Sequence, residues 1–578
     1  MESTLAPSRL RERLWVHRKL ILSIAFDLAI VFVLLNLRFT ALVRGDPGLT
    51  ATESLPNWWW SFGGIQDWLL IGADAGNWAS NAEAWAAGEA LDPHRLPVYT
   101  ALTAWFSGMF GDVVFGGHMV NHLISALLCG LSYALGRATT GGGVSSRLVG
   151  IGAGLLTAWS PELVNSQVFF GVDPTLQFAI LLLAFTTFLA IQSAKWTWVV
   201  AMGLCLGIAI CTHYLALLFL PISLALLVLM RSNWKIRARF IVATFLISWL
   251  VFQGLTRHYE DLSLRMIASV FTEGVAGSDG RVLSDAPMGT DTASNLVFHN
   301  LPSAPRLAVQ RGLRSLKVEG MPWLLLVGLF WTGLIGWGLS REKKPEKWDW
   351  RTSVFFLGFL SPLILLEASR APDRYALFSR PLIFICVLRG VLSAIALADK
   401  GLSRTPYAPQ RKARRLIRAG AGVLAITMLL MTLKGPFWSR WALYPPTDEG
   451  LGDRAIAELI QQNFPKKGSI VTTSQALEHF SGRDRCPSHY CPHGGNAAVA
   501  QCLEMLLAEC KGGGPIPYVL SESTKHGLGD QRNAEVDALI REEFKALGKH
   551  NGKDQSLSLY SLDRKLLRKL SLQVKNTP

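Results

Sequence analysis

Long runs of apolar residues recur along the chain from the N-terminus to about residue 434. A helix of roughly 20 apolar residues crosses the hydrocarbon core of a bilayer, which is about 30 Å thick. No charge separates the fifth run from the sixth, so residues 197–230 form either a tight hairpin or one long broken helix. The pattern predicts an α-helical polytopic membrane protein with eleven transmembrane helices, at residues 20–43, 116–136, 148–166, 174–192, 197–212, 214–230, 240–256, 322–340, 352–368, 376–397 and 416–434.

The polar tail, residues 435–578, follows a different pattern. Helix-like periodicity covers residues 453–464, 496–510 and 533–547, and strand-like runs cover residues 468–473 and 516–520. Helices that alternate with strands in this way are typical of a small α/β domain. The chain is therefore divided into a membrane domain, residues 1–434, and an α/β tail domain, residues 435–578.

The composition agrees with a membrane protein. Half of the residues are hydrophobic and only 17% are charged, whereas soluble proteins average about 25% charged residues. A soluble enzyme, a disordered chain and a coiled coil are excluded. The chain carries 57 Lys and Arg against 42 Asp and Glu, a balance of +15, which in a soluble protein would suggest a nucleic-acid partner.

The position of the basic residues gives a different explanation. Cytoplasmic loops of membrane proteins carry an excess of Lys and Arg. With eleven spans and a cytoplasmic N-terminus, every basic cluster falls on the cytoplasmic side, and residues 44–115, 257–321 and 435–578 fall outside. No nucleic-acid partner is then needed, and the first span is expected to stay as an anchor. The clusters are Arg9, Arg11, Arg13, Arg18 and Lys19; Arg231, Lys235, Arg237 and Arg239; Arg341, Lys343, Lys344, Lys347 and Arg351; and Lys400, Arg404, Arg411, Lys412, Arg414, Arg415 and Arg418.

Four of the eight cysteines lie close together in the tail, at Cys486, Cys491, Cys502 and Cys510. An even number of cysteines in an oxidising compartment indicates two disulfides, for which three pairings exist. A zinc site is the alternative, because histidines flank Cys491, but the spacing does not match a standard zinc-finger pattern.

The first predicted outer loop, residues 44–115, is long enough to be functional or folded. Apolar residues at helical spacing predict a surface helix over 74–89, and a Gly-interrupted apolar stretch predicts a second interfacial helix over 97–111. An acid, Asp74, opens the first of these helices within the motif GADAGNW, residues 72–78. The segment DPHRLPVYTALTAWFSGMFG follows at residues 92–111 and contains Arg95 and Tyr99.

An external acid that opens a surface helix, followed by Arg-x-Pro-x-Tyr and an apolar stretch, resembles the first outer loop of the GT-C glycosyltransferases. The closest branch is the protein O-mannosyltransferase and aminoarabinose transferase-like group, whose members use polyprenyl-phosphate sugars as donors. The resemblance spans residues 20–434. It continues through Asp173-Pro174 at the fourth span, Thr212-His213-Tyr214 at the join of the fifth and sixth, and Arg374-Tyr375-Ala376 with Arg380-Pro381 at the tenth.

The resemblance implies that Asp74 is a general base. Sugar transfer needs a base beside the acceptor hydroxyl, since a neutral hydroxyl is a poor nucleophile. Direct displacement at the sugar carbon would invert its configuration. The leaving polyprenyl phosphate needs cationic partners, and one arginine side chain can bind two phosphate oxygens at once. The substrate-binding candidates are Arg95, Tyr99, Asp173, His213, Arg257, Arg374, Tyr375 and Arg380.

Several of these residues also have a structural interpretation. Asp173 could cap a helix before Pro174, and His213 could be a hydrogen-bonded histidine at a helix end. Arg380 lies inside a span, where a charge is costly unless paired or functional, and an acid such as Glu367 could pair with it. Asp27, inside the first span, is interpreted as structural.

The expected activity is the transfer of a sugar from a polyprenyl-phosphate donor to a lipid, glycan or protein acceptor, at the extracytoplasmic face of a bacterial inner membrane. Two alternatives stay open: a transporter or flippase of lipid-linked sugars, and an O-antigen-ligase-like transferase with a diphosphate-linked donor. No cofactor is indicated. Some branches of the GT-C fold use a divalent cation, but this sequence places only Asp74 clearly.

Overall fold

The structure is a computed structural model. It describes residues 21–38, 75–89, 91, 95–140, 144–160, 162–163, 170–230, 232–257, 259, 302–313, 323–335, 350–368, 373–402, 420–423, 448–465, 468–472, 477, 480–486, 495–510, 512, 514–523, 534–551 and 555–575.

The described residues contain six helices that are long and apolar enough to cross a membrane. Shorter apolar helices complete the set, so that ten of the eleven predicted spans coincide with helix, and the eleventh lies mostly outside the described residues. The chain is an integral multi-pass membrane protein. The membrane helices are α1 (Ile21–Arg38), α4 (Val113–Thr139), α5 (Val144–Trp159), α6 (Asp173–Ser193), α7 (Trp196–Ile210), α8 (Phe219–Leu226), α9 (Trp234–Thr256), α11 (Trp323–Ile335), α12 (Trp350–Leu360), α13 (Pro362–Ala368) and α14 (Arg380–Leu402).

The fifth and sixth spans form a hairpin. The chain leaves helical geometry after α7, and His213 has extended backbone angles before a 3₁₀ helix at Tyr214–Leu218. The carbonyl of Cys211, just after α7, accepts a hydrogen bond from the amide of Val98. Tyr259, just after α9, donates a hydrogen bond to the nearby carbonyl of Arg95, so α7 and α9 end on the same side of the bundle. At the other end, the rings of Trp196 and Phe240 lie 4.5 Å apart. Because α7 and α9 therefore run in the same direction, residues 214–229 must return between them.

Small residues allow close helix packing in the bundle, as is common in membranes. Gly203 and Gly207 of α7 face Ile247 and Val251 of α9. The approach of α11 to α14 is closer still. A Cβ added at Gly390 of α14 would lie 1.8 Å from the carbonyl oxygen of Leu329 of α11, so that only glycine fits.

The two helices predicted in the first outer loop are present. They are α2 (Ala75–Ala87) and α3 (Pro97–Phe110), and α3 begins with Pro97 in its first turn and ends at Gly111 in the left-handed conformation. On α3, Tyr99 and Ala104 are buried, whereas Trp105 and Met109 are 61% and 57% exposed. This apolar, one-sided exposure suits an interfacial helix. Another helix, α10 (Ala304–Leu313), lies within the second predicted outer loop.

The tail forms a small sheet-containing unit. Strands β3 (Ile516–Ser523), β5 (Gln555–Leu562) and β4 (Ala546–Asn551) pair antiparallel in the spatial order β3-β5-β4, with Tyr518 opposite Tyr560. The short strands β1 (Ser469–Ile470) and β2 (Asp484–Arg485) are parallel, and Val471 bridges to Tyr518 of β3.

Helices cover both faces of the sheet. These are α15 (Asp448–Asn463), α16 (Gly495–Glu509), α17 (Ala534–Glu543) and α18 (Arg564–Lys575). Tyr518 packs in one core with residues of α16, α17 and α18, whereas its neighbour Val519 packs in a second core with residues of α15. Successive residues of a strand point to opposite faces, so the sheet is buried on both sides.

The C-terminal end of one predicted helix in the tail is wrong. The helix expected over 533–547 ends at Glu543, and Ala546 begins β4 instead. The other predicted helices and strands of the tail are present, although β1 is shorter than expected. The prediction also missed β2, β5 and α18.

Candidate active site

Four aromatic side chains meet where α2, α3, α4 and the start of α6 come together. We call Trp78, Tyr99, His118 and Phe170 the aromatic cluster. Trp78 lies edge-on to Tyr99 with ring centroids 5.2 Å apart, and Phe170 lies 6.0 Å from Tyr99 and 5.7 Å from His118. All four residues are buried. The cluster fixes α2 and α3 against the membrane helices.

Arg95 lies at the edge of this cluster. Its guanidinium carbon is 5.3 Å from the centre of the Trp78 ring, which is a cation–π geometry. Its backbone carbonyl accepts hydrogen bonds from the Tyr259 hydroxyl at 2.7 Å and from the Asn81 side-chain amide at 3.2 Å. The backbone of Arg95 is thus held by α2 and by the residues after α9, while its half-buried side chain keeps a charge at the cluster.

Asp173 is brought near Tyr99. Burial is the main cause that raises the pKa of Tyr99, and the negative charge of Asp173 raises it further. Asp173 is the first residue of α6, and Val172 occupies the N-cap position without a side-chain capping bond. The acid therefore lies in the first turn of the helix, where the helix dipole favours a negative charge, and it does not act as the N-cap residue.

A stripe of buried polar residues on α4 was missed in the sequence. His118, Asn121, His122 and Ser125 are fully buried. Nδ1 of His122 donates to the carbonyl of His118 at 2.7 Å, and Ser125 donates to the carbonyl of Asn121 at 2.5 Å. Their spacing of three and four residues places them on one helix face. That spacing was the available signal, although the surrounding apolar run obscured it.

Arg380 is paired with a different acid from the one expected. Its Nη2 lies 2.5 Å from Oε2 of Glu162, and its side chain is only 4% exposed. The expected pairing of Arg380 with a structural acid is present, but the acid shown is Glu162, whereas Glu367 was the example given from the sequence. Glu162 follows α5 by three residues and lies far from Arg380 in sequence, so the pairing depends on how α5 and α14 pack.

His213 and Arg257 lie at helix ends. Nδ1 of His213 accepts a hydrogen bond from the amide of Leu215 at 3.1 Å, which makes His213 the cap of the following 3₁₀ helix. Arg257 follows the last residue of α9 and is exposed. Nearby, Tyr259 is buried and binds the carbonyl of Arg95. Tyr259 thus joins this end of α9 to the candidate site.

Several predicted site residues lie outside the described residues or have undescribed side chains. Asp74 is outside, and α2 begins at the next residue, Ala75. Arg374 and Tyr375 belong to a 3₁₀ helix at Asp373–Ser379, but only their backbone is described. Within the described part of the chain, no three His, Cys, Asp or Glu residues form a group that could hold a metal.

A disulfide joins two of the four tail cysteines. Cys486 and Cys510 are bonded, with their Cα atoms 5.0 Å apart, which connects the end of β2 to the end of α16. Cys502 is also disulfide-bonded, whereas Cys491 lies outside the described residues. The four cysteines of the membrane helices, Cys129, Cys205, Cys211 and Cys386, are free and buried.

Two kinds of comparison relate this arrangement to known proteins. Residues 93–258 match the dolichyl-phosphate-mannose-protein mannosyltransferase family. This segment contains Arg95, Tyr99, Asp173 and His213, and it includes most of the aromatic cluster. No curated protein sequence matches the chain.

The fold is shared with solved structures at low sequence identity. ArnT from Cupriavidus metallidurans bound to undecaprenyl phosphate is 14% identical, with a TM-score of 0.50, over 93% of this chain and 97% of that one. The apo oligosaccharyltransferase of Archaeoglobus fulgidus is 12% identical, with a TM-score of 0.54, over 90% of this chain and 73% of that one. The family match and the shared fold confirm the resemblance found in the sequence: the chain is similar to the protein mannosyltransferases over residues 93–258, and it shares its membrane fold with ArnT and the oligosaccharyltransferase.

Proposed function

We propose that this glycosyltransferase moves a sugar from a polyprenyl-phosphate donor to an acceptor hydroxyl on the predicted outer face, with inversion at the sugar carbon and Asp74 as the general base. The main support for the proposal is that Arg95, Tyr99 and Asp173 come together around Trp78. These residues come from separate parts of the chain, and they meet beside the helix that Asp74 precedes.

The base must lie near the bond that forms. In sequence, Asp74 comes directly before α2 and four residues before Trp78, the residue whose ring contacts Arg95. A carboxylate at a membrane surface is partly desolvated, which makes it a stronger base toward a hydroxyl. The proposed step therefore moves the hydroxyl proton to Asp74 as the acceptor oxygen attacks the sugar carbon.

The leaving phosphate needs positive charge where its own charge develops. Arg95 supplies a guanidinium group. Hydrogen bonds from Asn81 and Tyr259 hold the Arg95 backbone, and the guanidinium lies over the indole ring of Trp78. We propose Arg374 as its partner, with Tyr375, His213 and Arg257 as further contacts for the donor. Undecaprenyl phosphate, the ligand of the solved ArnT structure, is a donor carrier of this chemical class.

Arg380 has a weaker claim to the donor phosphate. Its charge is already neutralised by Glu162 at 2.5 Å, and a compensated guanidinium attracts an anion less than a free one. We propose that Arg380 holds the start of α14 beside the site and that Asp173 contacts the sugar or supports Asp74.

The sheet-containing tail reaches the hydrophobic core around the candidate site through Phe480. This half-buried side chain packs against the buried cluster that includes Trp78, Tyr99 and Phe170, and also against the second core of the tail, which contains Val519 and Leu559. We propose that the tail is an extracytoplasmic domain that covers the site, with Phe480 as the side chain through which it acts.

The test is the Asp74→Asn variant of the full-length protein in proteoliposomes. A panel of undecaprenyl-phosphate hexoses and pentoses is supplied with membrane extract as acceptor, and the release of undecaprenyl phosphate is measured. We expect release to fall by about 10²- to 10⁴-fold, because loss of a general base has an effect of that size. Binding of undecaprenyl phosphate should be retained.

Glu83→Gln is the matched control, since Glu83 is an exposed acid on the same helix. It should release undecaprenyl phosphate at the wild-type rate. Normal release by folded Asp74→Asn would remove Asp74 from the mechanism. Movement of the intact donor across the liposome membrane without release would favour a transporter instead.

A further inference from the structure

A second polar site lies at the opposite end of the bundle from the aromatic cluster. A cavity of about 740 Å³ opens between α1, α4, α5 and α6. It is lined near the end of α4 by Tyr133, Arg137 and Thr140, whereas His118 of the aromatic cluster lies in the first turns of α4. At a rise of about 1.5 Å per residue, the 27 residues of α4 separate its two ends by about 40 Å.

The charges in this cavity are not balanced. Arg137 and Arg147 both contact Asp27: Arg137 pairs with its Oδ2, and Nε of Arg147 lies 3.3 Å from its Oδ1. The Tyr133 hydroxyl also donates to Oδ1, at 2.6 Å. Two guanidinium groups and one carboxylate leave one positive charge in excess among the lining residues.

Asp27 holds the two guanidinium groups side by side without consuming their hydrogen-bonding capacity. Each guanidinium has five N–H donors. Arg147 uses Nε toward Asp27 and Nη2 toward Ser23 at 2.6 Å. The side chains of Arg137 and Arg147 are 36% and 32% exposed, so an anion can reach them.

The remaining wall of the cavity is apolar. Ile24, Leu28 and Val31 line it from α1, and Phe185 and Leu189 line it from α6. Ile24 and Leu28 are 50% and 64% exposed in the protein, as expected for side chains that face acyl chains. A small water-soluble anion would match the arginines but would gain nothing from these residues.

We propose that this cavity binds an anionic phospholipid, whose phosphate contacts Arg137 and Arg147 and whose acyl chain lies along α1 and α6. Basic pockets between transmembrane helices bind anionic headgroups in this manner. The positive-inside prediction assigns this end to the cytoplasmic leaflet, the side opposite to the proposed transfer site. The bound lipid would fix α1 against α4, α5 and α6.

Native mass spectrometry of the full-length protein tests the proposal. The wild type is titrated with phosphatidylglycerol and with phosphatidylcholine of the same acyl chains. We expect tighter binding of phosphatidylglycerol, and a weakening of about fivefold for each of Arg137→Gln and Arg147→Gln, since one basic residue near a bilayer surface contributes about that factor. Inorganic phosphate should not compete, which separates a lipid headgroup from a free anion.

Two further variants make the result decisive. Leu189→Trp fills the apolar part of the cavity without changing any charge, and it should also weaken phosphatidylglycerol binding. Lys195→Gln removes an exposed positive charge just after α6 and outside the cavity, and it should bind phosphatidylglycerol as the wild type does. Equal binding of the two lipids by the wild type, or an unchanged preference in folded Leu189→Trp and Arg147→Gln, would overturn the proposal.

Discussion

Gly117 lies so close to the Phe170 ring that position 117 has no room for a side chain. A Cβ added at Gly117 would be 2.1 Å from Cε2 of the Phe170 ring. Phe170 is 2% exposed and packs against Tyr99 and His118, so its ring has little room to move. This contact sets the distance between α4 and the start of α6, and hence the position of Asp173 relative to Tyr99.

Gly117→Ala should therefore impair the site more than it impairs the fold. Forcing a methyl group into a packed core costs about 1–3 kcal/mol, and the displaced ring should shift Tyr99. We expect a lower melting temperature and reduced sugar transfer, measured on the purified protein. Gly108→Ala on α3 is the control, because a Cβ there meets nothing within 4 Å. Full activity in Gly117→Ala would show that the contact does not position the site.

Arg95→Ala should weaken the binding of undecaprenyl phosphate. A hydrogen bond to a charged group contributes about 1.5–3 kcal/mol, so a loss of about 10- to 100-fold in affinity is expected from titration of the lipid. Arg306→Ala on α10 removes an exposed arginine elsewhere and should leave affinity unchanged. An equal loss in both variants would mean that only the overall positive charge matters.

The burial of Tyr99 should appear in the pH dependence of stability. Its folded pKa is raised above the ordinary value of about 10. The unfolded state then releases its proton first, so stability is retained below pH 10 and falls as pH rises from there toward the folded pKa. The melting temperature of the wild type should drop more steeply between about pH 9.5 and 11 than that of Tyr99→Phe. Parallel curves would contradict this assignment.

The apolar pattern of the sequence was sufficient to predict the membrane helices, because a span must be apolar along its whole length whatever its neighbours are. Ten of the eleven predicted spans coincide with described helices. The same property hid the polar stripe on α4. His118 and Asn121 interrupt an apolar run without ending it, and only the contact of His118 with Phe170 and the hydrogen bond between Asn121 and Tyr99 show that they belong to the candidate site.

Long-range partners were harder to predict. Glu162 becomes the partner of Arg380 only when α5 and α14 pack together, and a search near Arg380 in sequence favoured Glu367. Strand β4 was mistaken for the end of a helix because Ala546-Leu547-Gly548 contains no β-branched residue. Its pairing with β5 determines its conformation. Arg95, Tyr99 and Asp173 were identified from local motifs, but their convergence is a property of the fold.

The disulfide between Cys486 and Cys510 should stabilise the tail. It closes a loop of 24 residues, for which chain entropy predicts about 3–4 kcal/mol. Peptide mapping without reduction should yield a peptide that links these two cysteines. Cys486→Ser with Cys510→Ser should lower the melting temperature of the tail, whereas Cys386→Ala in α14 should not. A linked peptide joining Cys486 to Cys502 would contradict the observed pairing.

Variants of the ion pair between Arg380 and Glu162 can distinguish a structural role of Arg380 from a catalytic one. Removing one partner of a buried ion pair leaves a charge without compensation. Because Glu162 is 27% exposed, solvent reduces the penalty, and we expect Glu162→Gln to cost about 1–3 kcal/mol. Glu458→Gln should cost less, since Glu458 is an exposed acid on α15 in the tail. Melting temperatures of the two purified variants make this comparison.

The double variant Arg380→Met with Glu162→Leu should recover much of the stability, because apolar replacements of a buried pair are often tolerated. If the pair only holds α14 in place, sugar transfer should recover together with the melting temperature. Recovered stability without recovered transfer would instead give Arg380 a direct contact with the donor phosphate. A double-mutant cycle on both readouts distinguishes these outcomes, since the coupling energy between the two side chains then appears in stability alone or in stability and transfer together.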